Sequence, residues 1–153
     1  MNKRVDIRSG DPRNPQARAL LAASHALMQS LFSVEDNHFL SVDDLCKPEV
    51  MFFVANIDGR AIGCAALALR DGYGEIKSMF VDPSARGSGV GAKLVAKLER
   101  TARRKNLPVL CLETGDKLTA ALGLYQSCGF SVRGPFGDYV AGGTSVFMQK
   151  ALG

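Results

Sequence analysis

The run Arg86-Gly87-Ser88-Gly89-Val90-Gly91 is the part of the chain whose residue types and spacing speak most directly of chemistry. It follows Glu75-Ile76-Lys77-Ser78-Met79-Phe80-Val81 and precedes a strongly helical segment. A strand, a glycine turn and a helix start in that order make a site for a diphosphate. Glycines let backbone N–H groups converge on one anion without a Cβ in the way. The positive end of the following helix faces the same point. The pattern is R-x-x-G-x-G, neither the G-x-G-x-x-G dinucleotide fingerprint nor the G-x-x-x-x-G-K-[ST] loop of nucleoside triphosphate enzymes. With that loop's lysine and a magnesium pair both missing, ATP is disfavoured as the ligand.

The elements around this loop follow from periodicity and turn chemistry. A short strand is predicted over 3–8. Asn14-Pro15 reads as an N-cap with proline at the first helical position, and Leu20, Ser24, Leu27 and Leu31 extend a helix over 15–32. Residues 33–41 are polar and irregular, and a short helix is expected from Ser41 to before Pro48. Asp58-Gly59 joins apolar runs 50–57 and 61–69 as a hairpin, and Asp71-Gly72 and Gly74 lead into a third strand, 74–81. Val90, Leu94, Leu98 and Ala102 share one helical face, and that helix ends near Asn106. Residues 108–113 form the next strand, so the crossover predicts parallel pairing of 75–81 with 108–113. A last helix, 117–127, stops at Gly129, and strands at 130–133 and 144–150 close the chain. Gly123 inside that helix suggests tight backbone packing.

Composition narrows the function classes. The 153 residues suit a single domain, 1–153, and 46% hydrophobic content allows a substantial core. No apolar run reaches the ~18 residues of a membrane span. The N-terminus lacks a signal-peptide apolar region, so a cytoplasmic protein is expected. The four cysteines show no C-x-x-C spacing and there are two histidines, which argues against a metal site. The net charge of +4 gathers around 86–105, without interleaved aromatic residues. A solvated helix face explains it better than nucleic-acid binding.

Two segments, in this order and on these elements, carry a family resemblance. Met79-Phe80-Val81-Asp82-Pro83 followed by Arg86–Gly91 looks like the acetyl-CoA motif of the GNAT N-acetyltransferase superfamily. Ala121-Leu122-Gly123-Leu124-Tyr125-Gln126-Ser127-Cys128-Gly129-Phe130 is similar to that family's A-x-x-L-Y-x-x-x-G-F ending. The resemblance covers nearly the full length. It implies a GNAT-like α/β fold: a mixed, mostly antiparallel sheet with a central parallel β-α-β crossover and helices on both faces. It implies acetyl-CoA as co-substrate and no metal. The diphosphate would lie on Arg86, Gly87, Ser88, Gly89, Val90 and Gly91, and the pantetheine arm along the backbone of Met79, Phe80 and Val81. A homodimer is a further, weaker implication.

The reaction so implied is attack of a primary amine of a small molecule on the acetyl thioester, which needs a base for the amine and an acid for the sulfur. Tyr125 matches the family tyrosine whose hydroxyl approaches the sulfur. Glu75 is the expected base, the other readings being a carboxylate paired with Lys77, or Glu113 in its place. Strict alternation puts Glu75, Lys77, Met79 and Val81 on one strand face. Many relatives carry an asparagine after the parallel strand, where this chain has Glu113-Thr114-Gly115-Asp116. By resemblance the acceptor pocket involves Ser33–His38, with Glu35 and His38 as contacts. Phe136 and Tyr139 of Gly134-Pro135-Phe136-Gly137-Asp138-Tyr139 are expected to wall it. The alternatives are a protein or peptide acceptor, or a non-catalytic acyl-CoA-binding module.

Overall fold

The computed structural model describes residues 4–153. Its elements are β1 (Val5–Ser9), α1 (Pro15–Leu31), α2 (Val42–Leu45), β2 (Val50–Ile57), β3 (Arg60–Arg70), β4 (Tyr73–Val81), α3 (Val90–Arg104), β5 (Val109–Gly115), α4 (Thr119–Ser127), β6 (Ser131–Arg133) and β7 (Ser145–Ala151). The strand expected from residue 3 begins at Val5, and Lys3 lies outside the described residues. Among the described residues, seven strands form one sheet in the order β1-β2-β3-β4-β5-β7-β6, and only β4 and β5 pair in parallel.

The local signals act where the sequence carries them. The Asn14 side chain accepts the Gln16 N–H at 3.0 Å and starts α1. A reciprocal capping box between Ser41 and Asp44 starts α2. Gly129, at φ 96°, lets the Phe130 N–H reach the Tyr125 carbonyl at 3.0 Å and ends α4.

Alternation along β2 and β3 feeds two cores. Phe53, Ala65 and Leu67 pack with Leu94 and Leu98 of α3, while Phe52, Cys64 and Ala66 pack with Leu20 and Leu21 of α1. The helices therefore cover both faces of the sheet.

Two departures from the sequence reading build the site. Parallel pairing does not run the length of 75–81. Only Gly74–Ile76 pair with Leu110–Leu112, so β4 and β5 are unpaired from Lys77 onward. The second departure lies within β4. Cys64 faces Phe80 and Ala66 faces Lys77, so β4 carries one extra residue there, a bulge at Ser78 with φ 54°. The bulge breaks the expected alternation. Glu75 and Lys77 stay on one face, while Met79 and Val81 join Ile76 on the α3 face. A third correction concerns Gly123: a Cβ there would meet nothing within 4 Å, so no tight packing explains it.

Candidate active site

A cavity of about 760 Å³ lies against the β4 face that carries Glu75 and Lys77. The 33–40 segment and the 137–143 loop close its sides, and its lining includes Glu35, His38, Arg70, Glu75, Lys77 and Tyr139. A narrower cleft of about 110 Å³ occupies the gap where β4 and β5 separate. Lys77, Ser78 and Met79 line it from β4, Glu113 and Gly115 from β5, and Tyr125 from α4. Asp36, His38, Phe39 and Lys77 line both spaces, so the two meet there.

A buried polar chain supports the larger cavity. Glu75 is 2% exposed, and its carboxylate has three partners. The Tyr139 hydroxyl donates to Oε2 at 2.5 Å, the Arg70 Nε donates to Oε1 at 3.2 Å, and the Lys77 ammonium lies 3.5 Å from Oε2. Lys77 also donates to the Tyr139 hydroxyl at 2.9 Å and to the His38 carbonyl at 2.8 Å. One lysine thereby ties β4 to both loops that flank the cavity. Burial, followed by the Glu75 hydrogen bond, pushes the Tyr139 phenol upward, so it stays protonated as the donor.

The cleft holds a different set. Glu113 accepts the Ser145 hydroxyl at 2.8 Å, and burial raises its carboxyl above the ordinary range, with Ser145 working the other way. Tyr125 is 5% exposed and its ring meets Phe130 edge-on at 5.8 Å. Burial pushes its phenol up too, which keeps the proton on oxygen. The Ser78 Oγ is buried and, among the described residues, has no hydrogen-bond partner. A buried hydroxyl of that kind costs about 1–3 kcal/mol unless a partner arrives. The ring of His25, stacked on Phe39 at 4.1 Å, has its Nε2 in the same condition.

The glycine loop shows a division of labour. Gly87 at φ 82° and Gly89 at φ 81° adopt the left-handed conformation in open space, and Gly89 caps α3. Gly91 instead sits beneath α4: a Cβ there would come 2.8 Å from the Leu124 Cδ2. Among the described residues, the N–H groups of Gly87, Gly89, Val90 and Gly91 make no backbone hydrogen bond. They are donors at a helix N-terminus, left over by helix geometry.

The expected residues fall into three groups. Glu35, His38, Glu75 and Tyr139 line the larger cavity, and Met79 and Tyr125 line the cleft. The loop Arg86–Gly91 stands at the start of α3. Phe136 is a correction: it is buried among Tyr73, Phe147 and Tyr139, its ring 5.0 Å from that of Tyr139, and it backs the wall without lining it. Phe80 turns its side chain to the α1 core because the bulge reverses the register. Arg70 and Ser78 were missed. Arg70 reads as an ordinary charge before a turn, and nothing in the local sequence announces a bulge at Ser78.

Residues 17–130 match the acetyltransferase (GNAT) family. An "IAA acetyltransferase" of Azospirillum brasilense is 39% identical over 97% of this chain and 98% of its own length. The crystal structure of a Klebsiella pneumoniae protein, provisionally assigned as an acyl-CoA N-acyltransferase, superposes with a TM-score of 0.82 at 34% identity, covering 97% of each chain. The PaiA N-acetyltransferase of Thermoplasma acidophilum, solved with coenzyme A, shares the fold at 15% identity with a TM-score of 0.75, over 97% of this chain and 99% of that one. The protein belongs to the GNAT acetyltransferase family. It is an N-acetyltransferase built on that family's mixed sheet.

Proposed function

We propose that the protein transfers an acetyl group from acetyl-CoA to the primary amine of a small molecule, by direct attack on the thioester. The observation that carries this reading is the junction of the two spaces at His38, Phe39 and Lys77. An acyl donor in the β4–β5 cleft and an amine in the larger cavity would meet there, and proximity supplies a large part of the rate.

The residues fit the donor. The free N–H groups of Gly87, Gly89, Val90 and Gly91 suit its diphosphate, with Arg86 beside them. The β4 edge from Met79 to Val81, beyond the reach of β5, suits the amides of its pantetheine arm. The unpartnered Ser78 hydroxyl gives the cleft one more polar contact. The Thermoplasma protein of this fold binds coenzyme A.

For the proton steps, Glu113 is better suited than Glu75. Three partners occupy both oxygens of Glu75, which makes it a support of the cavity wall. Glu113 has a carboxyl raised by burial, nearer the range a base at neutral pH needs. As the N–C bond forms, the amine proton passes to Glu113. As the C–S bond breaks, the sulfur takes the electron pair and the Tyr125 proton. Exchange with water through the open cavity resets both groups. Free-thiol release from acetyl-CoA, screened over amines, amino acids, polyamines and peptides, tests the proposal. Release with small amines is expected, and release with peptides alone would replace it with the peptide reading.

A further inference from the structure

Three polar groups of the larger cavity satisfy one another: Glu75, Lys77 and Tyr139 bond among themselves. Arg70 is different. Its Nε is engaged by Glu75 at 3.2 Å, its side chain is one-third exposed, and among the described residues its two terminal nitrogens make no hydrogen bond. A guanidinium held through Nε by a buried carboxylate is fixed in direction. Its outer edge then presents two parallel N–H donors, the geometry that matches a carboxylate. The charges agree, because Arg70, Lys77 and Glu75 together carry one net positive charge inside the cavity. The rest of the lining includes the acidic Glu35, Asp36 and Asp138, with Asp36 at the junction of the two spaces and Asp138 near Tyr73.

We infer that the acceptor amine carries an anionic group, a carboxylate, which the outer edge of Arg70 binds while the amine sits at the junction by Lys77 and His38. This rests on the acetyl-transfer reading and adds the substrate class. Arg70 meets one oxygen of the Glu75 carboxylate at 3.2 Å and Lys77 lies 3.5 Å from the other, so one buried carboxylate stands between the anion site and the junction. An ω-amino acid with a chain of about five carbons, or a dipeptide with a free C-terminus, has the reach. Asp36, which lines the junction of the two spaces, stands at the ammonium end.

The test uses matched acceptors: 5-aminopentanoate against pentylamine, and glycylglycine against its amide, with glycine as the short control. The wild-type enzyme is expected to favour each carboxylated partner by about tenfold or more in kcat/KM. Arg70→Lys keeps a cation beside Glu75 but lacks the planar edge, and Arg70→Gln lacks the charge. Both are expected to erase the preference through KM of the carboxylated acceptor, with KM for acetyl-CoA unchanged. Equal or better use of the neutral amines by the wild type overturns the inference. So does an Arg70→Gln enzyme that loses neutral and carboxylated acceptors alike, since Arg70 would then only prop Glu75. Calorimetry of each acceptor against the enzyme–coenzyme A complex runs alongside. If no carboxylated amine binds or turns over, the inference fails. Acetyl-CoA titrated in the same cell reports separately on the reading beneath it.

Discussion

The hydroxyl of Tyr139 lies 2.5 Å from a carboxylate oxygen of Glu75, and this contact joins a loop between the last two strands to the middle of β4. Tyr139 also accepts a hydrogen bond from Lys77, so the phenol sits between a carboxylate and an ammonium. Replacement by phenylalanine keeps the ring contacts with Phe136 and Phe147 and removes both bonds. Tyr139→Phe is expected to lose about 1–3 kcal/mol of stability. It is also expected to raise KM for the acceptor more than it lowers kcat. Denaturation and steady-state kinetics check the two halves, and a KM unchanged for every acceptor would separate Tyr139 from the cavity's function.

Glu113 sets a pH dependence. Burial raises its folded carboxyl above the ordinary glutamate value of 4.5. The folded state therefore holds the proton more tightly than the unfolded chain. Its contribution to stability is full below the unfolded pKa and fades as pH rises through the folded one. In the proposed mechanism activity runs the opposite way, because Glu113 as base must be ionised. The acid limb of kcat/KM is expected to inflect above the usual glutamate range. Glu113→Gln should lower kcat by about a hundredfold or more and remove that limb. A pH profile of the variant that retains it would move the base elsewhere.

Two glycines near the cleft are expected to respond to alanine with opposite signs. A Cβ at Gly115 would overlap the ring of Phe32, which covers the end of β5, whereas a Cβ at Gly123 meets open space inside α4. Gly115→Ala should cost about 1–3 kcal/mol through overpacking. Gly123→Ala should gain about 0.5–1 kcal/mol through helix propensity. Thermal or urea unfolding reads both.

The unpartnered hydroxyl of Ser78 gives a stability test of ligand-facing design. Ser78→Ala should leave the ligand-free protein as stable or more stable, by up to about 2 kcal/mol, because a desolvated hydroxyl disappears. The stabilisation conferred by acetyl-CoA should shrink at the same time. A variant that is destabilised without ligand and stabilised normally by it would make Ser78 a structural residue.

Much of the fold was legible in local chemistry. Asn14 acts through its own side chain, and Asp58-Gly59 and Gly129 through left-handed backbone, so their elements begin and end near the expected residues. The cleft was only half legible. The crossover between β4 and β5 follows from chain order, but no local signal marks where their pairing stops or where the extra residue of β4 sits. That one extra residue reversed the expected faces of Met79 and Val81. The cavity network was illegible for a related reason. Arg70, Glu75 and Lys77 lie close in sequence, but the group that completes them, Tyr139, is 64 residues from Glu75 and arrives on a loop. A sequence shows which residue types are present there, and long-range folding decides which of them touch.

The proposed transfer turns on Tyr125: as the acid for the departing sulfur, its hydroxyl in the cleft would separate catalysis from simple acyl-CoA binding. The most direct measurement is turnover of Tyr125→Phe with acetyl-CoA and the best amine across the pH range, beside the affinity for acetyl-CoA. The account predicts a fall in kcat of about a hundredfold with acetyl-CoA affinity within about threefold of wild type. Unchanged turnover at every pH would contradict it.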